Sequence, residues 1–292
     1  MNSINYRPEG TSALDEKPSL LQLERAKATN RILEARAVMC DNDHNLIVDL
    51  GDIKGVIPRE EAAIGIRDGS VKDIAVLSRV NKQICFKVDD ILTKQGQTVA
   101  RLSRVSAQQD ALNYMLSTYK KGDIIPARIT HLEPFGAFAD IGCGIVGLIS
   151  IENISVSRIS HPRDRFFVGQ NIRVVIKDID YENRRFTLSH KELLGTWEEN
   201  ADMFDVGQTV CGVVRSIEDY GIFIELTPNL AGLAEYKAGI VSGQQATVYI
   251  KNIIPEKMKI KLSIIDCFCG DAKLEDYRYF CHGSHIDEFV YS

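Results

Sequence analysis

"DIIPARITHLEPFGAFADIGCGIVGLISI", residues 123–151, and "QTVCGVVRSIEDYGIFIELTPNLAGLAEY", residues 208–236, are two copies of one pattern. Each opens on an alternating run rich in β-branched residues and then bends through polar residues. Next comes aromatic-Gly-x-Phe, as Phe135 to Phe138 in one copy and Tyr220 to Phe223 in the other. An acid and an aliphatic follow, then a turn, then Gly-Leu at Gly147-Leu148 and Gly232-Leu233. Both copies continue into "QNIRVVIKDIDYENRRFTLS" (170–189) and "QQATVYIKNIIPEKMKIKLS" (244–263), each closing on Leu-Ser. Alternation of period two marks half-buried strands. Short, evenly spaced strands with Gly, Pro, Asn and Asp turns predict a small closed barrel. Closure removes most exposed sheet edge, so a monomer is expected.

A worn third copy comes first. "NLIVDLGDIKGVIPREE" (45–61) carries Asp49-Leu50-Gly51 and Gly55-Val56, and "KQICFKVDDILTKQGQTVARLS" (82–103) ends on Leu102-Ser103. His44 and Ile47 stand at its aromatic positions. Between the copies the period changes. "SAQQDALNYMLSTYKKG" (106–122) spaces Ala107, Ala111 and Met115 by four, and "SHKELLGTWEENADMF" (189–204) spaces Leu193 and Trp197 by four. Both predict amphipathic helices near a capping Ser, and a further helix is expected at 19–29. The reading is a mainly β chain of three tandem five-stranded barrels joined by short amphipathic helices. Its parts are a leader and helix (1–30), a degenerate first unit (31–105), a helical spacer (106–121), a second unit (122–191), a second spacer (192–204), a third unit (205–265) and a tail (266–292).

Gly142-Cys143-Gly144-Ile145-Val146-Gly147 is a literal GxGxxG. A dinucleotide loop of that form must follow a strand and open a helix, whose N-terminus holds the pyrophosphate. Here a strand signal, "LISI", follows. The glycines predict a hairpin turn. Phe135 and Phe138 are three apart, so they would face opposite sides of an unbroken strand. A bulge or bend at Gly136 would bring both rings to one surface. Basic residues recur just before the closing Leu-Ser, Arg184 and Arg185 in one unit and Lys259 in the other. Rings beside cations on a barrel face make a platform for single-stranded nucleic acid. Bases stack at about 1–3 kcal/mol each while Lys and Arg follow the phosphates.

Composition sets the bounds. The 292 residues are 45% hydrophobic and 26% charged, enough for several globular cores. The net charge of −5 argues against a generic polyanion binder, yet residues 122–191 hold nine Lys/Arg against eight Asp/Glu, with the acid surplus in 192–204 and the tail. No apolar run reaches the roughly 18 residues of a membrane span. The polar start, "MNSINYRPEGTSALDEKPS", has no signal-peptide core. Seven scattered cysteines read as reduced thiols in a cytoplasmic protein.

The run F-G-A-F-A-D-I-G (135–142), then G-L-I (147–149), V-G-Q-N-I-R-V-V-I-K-D-I-D (168–180) and R-R-F-T-L-S-H-K-E (184–192) resembles the S1 RNA-binding domain. This is the OB-fold unit repeated in a bacterial small-subunit ribosomal protein. The resemblance runs almost end to end over 120–192, is thinner over 205–265 and weak over 31–105. It implies three tandem OB-fold barrels and single-stranded RNA, mRNA above all, as ligand. The small ribosomal subunit joins the expected partners, with no cofactor and no membrane. In that family two aromatics, a His, an Asp and an Arg build the face. By position these are Phe135, Phe138, Asp180 and Arg185, with Ser150 where the family has His. Arg184 adds a further cation, and "HPRDRF" (161–166) adds Arg163 and Arg165. The third unit keeps Tyr220, Phe223 and Lys259 but has Glu235 at the His position. The first has His44, Ile47 and Val99. The middle unit is therefore the expected RNA binder, the third a weaker one, and the first a structural or protein-contacting unit.

Other chemistry finds less support. Cys267, Cys269, Cys281, His282 and His285 are zinc-type ligands, but C-x-C followed eleven residues later by Cys-His-x-x-His is poor zinc spacing. No metal site is expected; the bland reading packs Tyr277, Phe280, Phe289 and Tyr291 of the tail onto the last barrel. No nucleophile–base motif, P-loop or HExxH occurs, so no enzyme is expected. Asp180 is read as orienting Arg184 or Arg185. The competing functional reading is a protein-interaction scaffold of a ribosome or RNA-degradation complex that binds RNA weakly.

Overall fold

The computed structural model describes residues 6–11, 17–94, 97–268 and 277–291. Helix α1 (Leu20–Ala28) starts at Ser19, which forms a reciprocal capping box with Gln22. The first barrel contains β1 (Leu33–Cys40), β2 (Leu46–Asp49), β3 (Lys54–Ile57), the short α2 (Ile74–Leu77), β4 (Gln83–Lys94) and β5 (Gln97–Ser103). Helix α3 (Arg104–Thr118) leads to the second: β6 (Ile124–Glu133), β7 (Gly136–Gly142), β8 (Ile145–Ser150), β9 (Asn171–Asp180) and β10 (Arg185–Ser189). A five-residue α4 (Trp197–Ala201) precedes the third: β11 (Thr209–Glu218), β12 (Gly221–Thr227), β13 (Leu230–Ala234), β14 (Gln245–Ile254) and β15 (Lys259–Phe268). All three are closed barrels in which the first strand pairs with the second and fourth, and the fifth strand runs parallel to the third. This is the expected OB arrangement.

Closure explains why Gly-Leu and Leu-Ser recur together. A Cβ at Gly147 would come within 2.6 Å of Leu188 Cδ1, one at Gly232 within 2.6 Å of Leu262 Cδ1, and one at Gly55 within 2.9 Å of Leu102 Cδ1. The glycine lets the fifth strand's leucine cross the barrel and seal the third-strand edge. The hairpin reading of the GxGxxG run holds. Cys143 and Gly144 have φ of 51° and 75° between β7 and β8, the paired positive values of a tight hairpin turn.

The helical spacers are shorter than the sequence pattern suggests. Leu193 lies in a 3₁₀ turn rather than in α4, and the cap of α4 is Thr196, not Ser189. Helix α3 is the stiffer connection, capped by Ser103 and burying Ala107, Ala111 and Met115 against the second barrel.

Two buried ion pairs fix the barrels to each other. Arg104, 1% exposed, donates Nε and Nη2 to the Glu9 carboxylate at 2.9 Å each. Glu9 in turn accepts from the Cys85 amide of the first barrel at 3.0 Å, and its own N–H donates to Asp140 of the second at 2.8 Å. Between the second and third barrels, Arg165 pairs with Glu225, which also accepts from Arg215. Asn229 Nδ2 donates to the Lys191 and Gly195 carbonyls at 2.8 Å.

The tail differs from expectation: residues 277–291 return to the second barrel. Ile124, Val175 and Leu193 pack with Tyr279, Cys281, Ile286 and Phe289, and the Ile124 and Ile286 amides bond across to Ser284 and Gly122. Apolar surface of the second barrel, left open by its own strands, supplies the docking site. At its centre His190 is fully buried, with Phe166 at 5.1 Å, Tyr277 at 4.6 Å and Tyr279 at 5.7 Å between ring centroids. Burial pushes its pKa down to about 3.

That depression makes tail docking acid-sensitive. An unfolded His titrates near 6.5, so the buried neutral ring contributes stability fully above that pH. The contribution is lost as pH falls toward about 3. Urea titrations of wild type and H190Q from pH 7.5 to 4 are expected to show the wild-type advantage shrinking steadily below pH 6.5. A gap independent of pH contradicts the assignment.

Candidate nucleic-acid interface

The strand register lays a row of side chains across the outer face of each barrel. In the second, His131 on β6 opposes Phe138 on β7, Phe138 opposes Leu148 on β8, and Leu148 opposes Thr187 on β10. Cross-strand partners share a face, so these four form one outward row. Arg185 and Val146, two residues away on their strands, belong to the same face, and both are exposed.

The two rings of the motif do come together, at a turn rather than at a bulge in β7. Phe135 stands in the turn just before β7 and is 56% exposed; Phe138 is half-buried within the strand. Gly136 is not a bulge. The register irregularity lies on the neighbouring strand, between Ile129 and His131. Gly136 instead permits close approach, since a Cβ there would sit 2.4 Å from the Ile149 carbonyl oxygen. The rings meet edge to face, 6.0 Å between centroids and 89° between planes. The third barrel repeats this, with Tyr220 and Phe223 at 6.1 Å and 89°. Its bulge falls at the equivalent place, between Val214 and Ser216, and its Gly221 approaches the Ala234 carbonyl in the same way.

His131 extends the second barrel's platform. Its ring lies 6.3 Å from Phe138 and tilted by 32°, and Nε2 meets Glu133 Oε1 at 2.6 Å. Nothing local in the sequence marks it, because its place beside Phe138 depends on the bulge in β6. In the third barrel the row is Ser216, Phe223, Leu233 and Lys261. Lys261, also unread from sequence, joins Lys259 as a second exposed cation on the same side of β15. In the first barrel the row is Met39, Ile47, Val56 and Arg101. Ile47 is only 8% exposed, so that barrel offers no ring.

The remaining candidates divide. Ser150, beside Gly136 in the ladder, is half-buried and accepts a hydrogen bond from Asn153 Nδ2 at 2.8 Å. Asp180 faces Arg185 across the ladder but takes its hydrogen bonds from the turn rather than from an arginine. Its carboxylate accepts the Asn183 amide and Nδ2 at 2.8 Å each, which holds its pKa below the usual carboxylate range and shapes the β9–β10 turn. Arg184, at φ 56° in that turn, reaches Asn113 on α3. Arg163 is exposed, but Arg165 is 5% exposed and ion-paired to Glu225. Arg165 is therefore spent on the interface between barrels and has no free face. Arginines two residues apart in one segment carry no local signal of which one is buried, so the sequence alone puts both on one basic surface.

Among the described residues no group of three or more His, Cys, Asp or Glu gathers as metal ligands. Cys267 lies near the end of β15 on the third barrel, Cys281 packs on the second and His285 Nδ1 meets Asp123 Oδ1 at 2.7 Å. His282 is exposed, and Cys269 lies outside the described residues. No helix among them is long and apolar enough to cross a membrane.

Residues 118–191 match the family model of the S1 RNA binding domain. The chain is homologous to small ribosomal subunit protein bS1. It is 29% identical to that of Staphylococcus aureus over 267 residues, 86% of this chain and 66% of the relative. Identity to the Leuconostoc lactis protein is 29% over 75% of this chain and 53% of the relative. For Rickettsia conorii it is 27% over 75% and 40%. The chain thus spans just under two thirds of the first of these relatives and about half or less of the others. A multidomain protein with nucleic acid binding domains from Streptococcus pneumoniae is 13% identical over 81% of this chain and 73% of its own, with a TM-score of 0.27.

The two sides of the motif differ in their tolerance of substitution. F135A, at an exposed turn, is expected to change stability by no more than about 0.5 kcal/mol. G136V drives a side chain into the β8 backbone and is expected to cost several times that, roughly 2–4 kcal/mol. Urea denaturation of both variants checks the contrast.

Proposed function

We propose that this chain binds single-stranded RNA and acts in translation, holding mRNA at the small ribosomal subunit in the cytoplasm, by binding rather than catalysis. The observation that carries this reading is the repeated edge-to-face ring pair, 6.0 Å and 89° in one barrel and 6.1 Å and 89° in the next. Each pair lies in an outward row that ends near a cation on the fifth strand. Two rings at right angles give a base one face to stack on and one edge to pack against. Arg185 in the second barrel, and Lys259 and Lys261 in the third, supply charge for the phosphates. The match of residues 118–191 to the S1 RNA binding domain and the homology to bS1 support the same ligand class.

The barrels contribute unequally. The second has three rings in or beside its row, counting His131, and is the principal site. The third has two rings and two lysines but also Glu235, which is exposed and pairs with Lys251 at 3.0 Å. It binds more weakly. The first, with Met39 51% exposed and Ile47 buried, is left to protein contact or support.

Fluorescence anisotropy with labelled oligo(U), oligo(A) and a duplex control tests the reading. The F135A/F138A chain is expected to lose at least about tenfold in single-strand affinity, in line with about 1–3 kcal/mol per stacked base, with an unchanged far-UV spectrum. Affinity for the single strand is expected to fall log-linearly with salt, and the duplex to bind less tightly. Equal affinity of wild type and F135A/F138A overturns the site.

A further inference from the structure

We propose that the third barrel's RNA site is composite: its far side is built by the second barrel, with Arg158 and Arg163 supplying phosphate contacts to a strand stacked on Tyr220 and Phe223. This rests on the RNA-binding reading above and assigns these two arginines away from the rings of their own barrel.

The argument starts on β12. Glu225 is two residues past Phe223, and the β12–β13 ladder runs unbroken between them while the nearby bulge lies on β11, so the two side chains share a face, separated by about 7 Å at ~3.4 Å per residue. The platform of the third barrel therefore runs straight toward Glu225. Glu225 is nonetheless 6% exposed, because the second barrel covers it. Arg165 reaches it from the segment between β8 and β9, and Arg215 of the third barrel closes on the same carboxylate at 2.8 Å and 3.2 Å. One pleat beyond the inner ring, the surface belongs to the neighbouring barrel.

That covering segment is held at several points. The Ser157 amide donates to the Pro228 carbonyl at 3.0 Å, and the Val156 amide to Asn229 Oδ1 at 3.1 Å. Arg158 is the next residue after Ser157. Arg163 sits in a 3₁₀ turn, Pro162–Asp164, whose C-cap is Arg165 itself. Both cations are thus within two residues of a group bonded to the third barrel. Both are exposed, and among the described residues neither side chain makes an ion pair or hydrogen bond. Each stays available to a ligand, and its backbone is fixed by the seam.

Chemistry favours a polyanion here. The third row lacks the ring that His131 provides in the second, having Ser216 instead, and it has a carboxylate at Glu235. A lone row of this kind binds a nucleic-acid strand weakly. On the proposed site, the two exposed guanidinium groups of this covering segment restore the positive field and present fork donors matched to phosphate oxygens.

The test is a set of anisotropy titrations on the full chain, with a labelled oligo(U) of about twelve nucleotides, within the site size of one or two such barrels. R158A/R163A is placed in three backgrounds: wild type, F135A/F138A and Y220A/F223A. The arginine pair is expected to lower affinity about fivefold or more and to reduce the salt slope by about one to two in the first two backgrounds. In Y220A/F223A its effect is expected to fall below about twofold. Thermal midpoints are expected to be unchanged by R158A/R163A, since neither side chain has a partner to lose. An arginine effect that survives Y220A/F223A and disappears in F135A/F138A overturns the composite site and returns both residues to the second barrel. No measurable binding in the F135A/F138A chain overturns it as well, leaving the second barrel as sole binder. Absence of single-strand binding by wild type at low salt overturns the RNA reading itself.

Discussion

Guanidinium groups buried against carboxylates at the two junctions between barrels hold this chain in one arrangement. Arg104 with Glu9, and Arg165 with Glu225 and Arg215, have been withdrawn from water where a charge without its partner is severely penalised. Such pairs add little net stability over apolar packing, but they tolerate only the geometry that completes them. Apolar contacts alone would let two barrels slide. The ion pairs give each junction a defined register, and the relative placement of the ring rows follows from it.

Both junctions use the same feature of the repeat. The acid two residues after the inner aromatic position is Asp49, Asp140 and Glu225 in the three barrels. Asp49 meets Lys17 at 2.8 Å, Asp140 accepts the Glu9 amide, and Glu225 accepts Arg165. In each barrel this acid receives a segment that lies earlier in the chain. Asp140 carries a cost for doing so. Burial and the nearby Glu9 carboxylate push its pKa up to about 7, even though it also accepts the Gly142 and Gly144 amides at 2.7 Å and 3.0 Å. The repeat thus supplies a docking anchor as well as a binding face, and the two lie side by side.

Much of this was legible in the sequence for a physical reason. Strand alternation, hairpin glycines and the Gly-Leu and Leu-Ser pairs are local demands of closing a five-stranded barrel, and every copy must meet them. Phe135 and Phe138 were legible as a pair because they recur as Tyr220 and Phe223. What was hidden depends on contacts distant in sequence. His131 joins the rings only through a register shift in β6. Lys261 shares the ring face through parallel pairing of β13 and β15. Arg165 is buried by a glutamate sixty residues away. The tail's docking site combines Ile124, Val175 and Leu193, three positions that no periodic pattern connects.

The returning tail also orders events in time. Residues 277–291 seal His190 and the β6–β9 side of the second barrel, yet they leave the ribosome only after the whole third barrel has been made. Until then the second barrel carries an uncovered aromatic pocket and an uncovered apolar patch. Docking of this segment is therefore a long-range closure, spanning the widest sequence separation among the described backbone hydrogen bonds (Ile286 to Gly122), and it carries a correspondingly high loop-closing entropy. The nascent chain can assemble its strands in sequence, but the middle barrel reaches its finished surface only after the third barrel has been made.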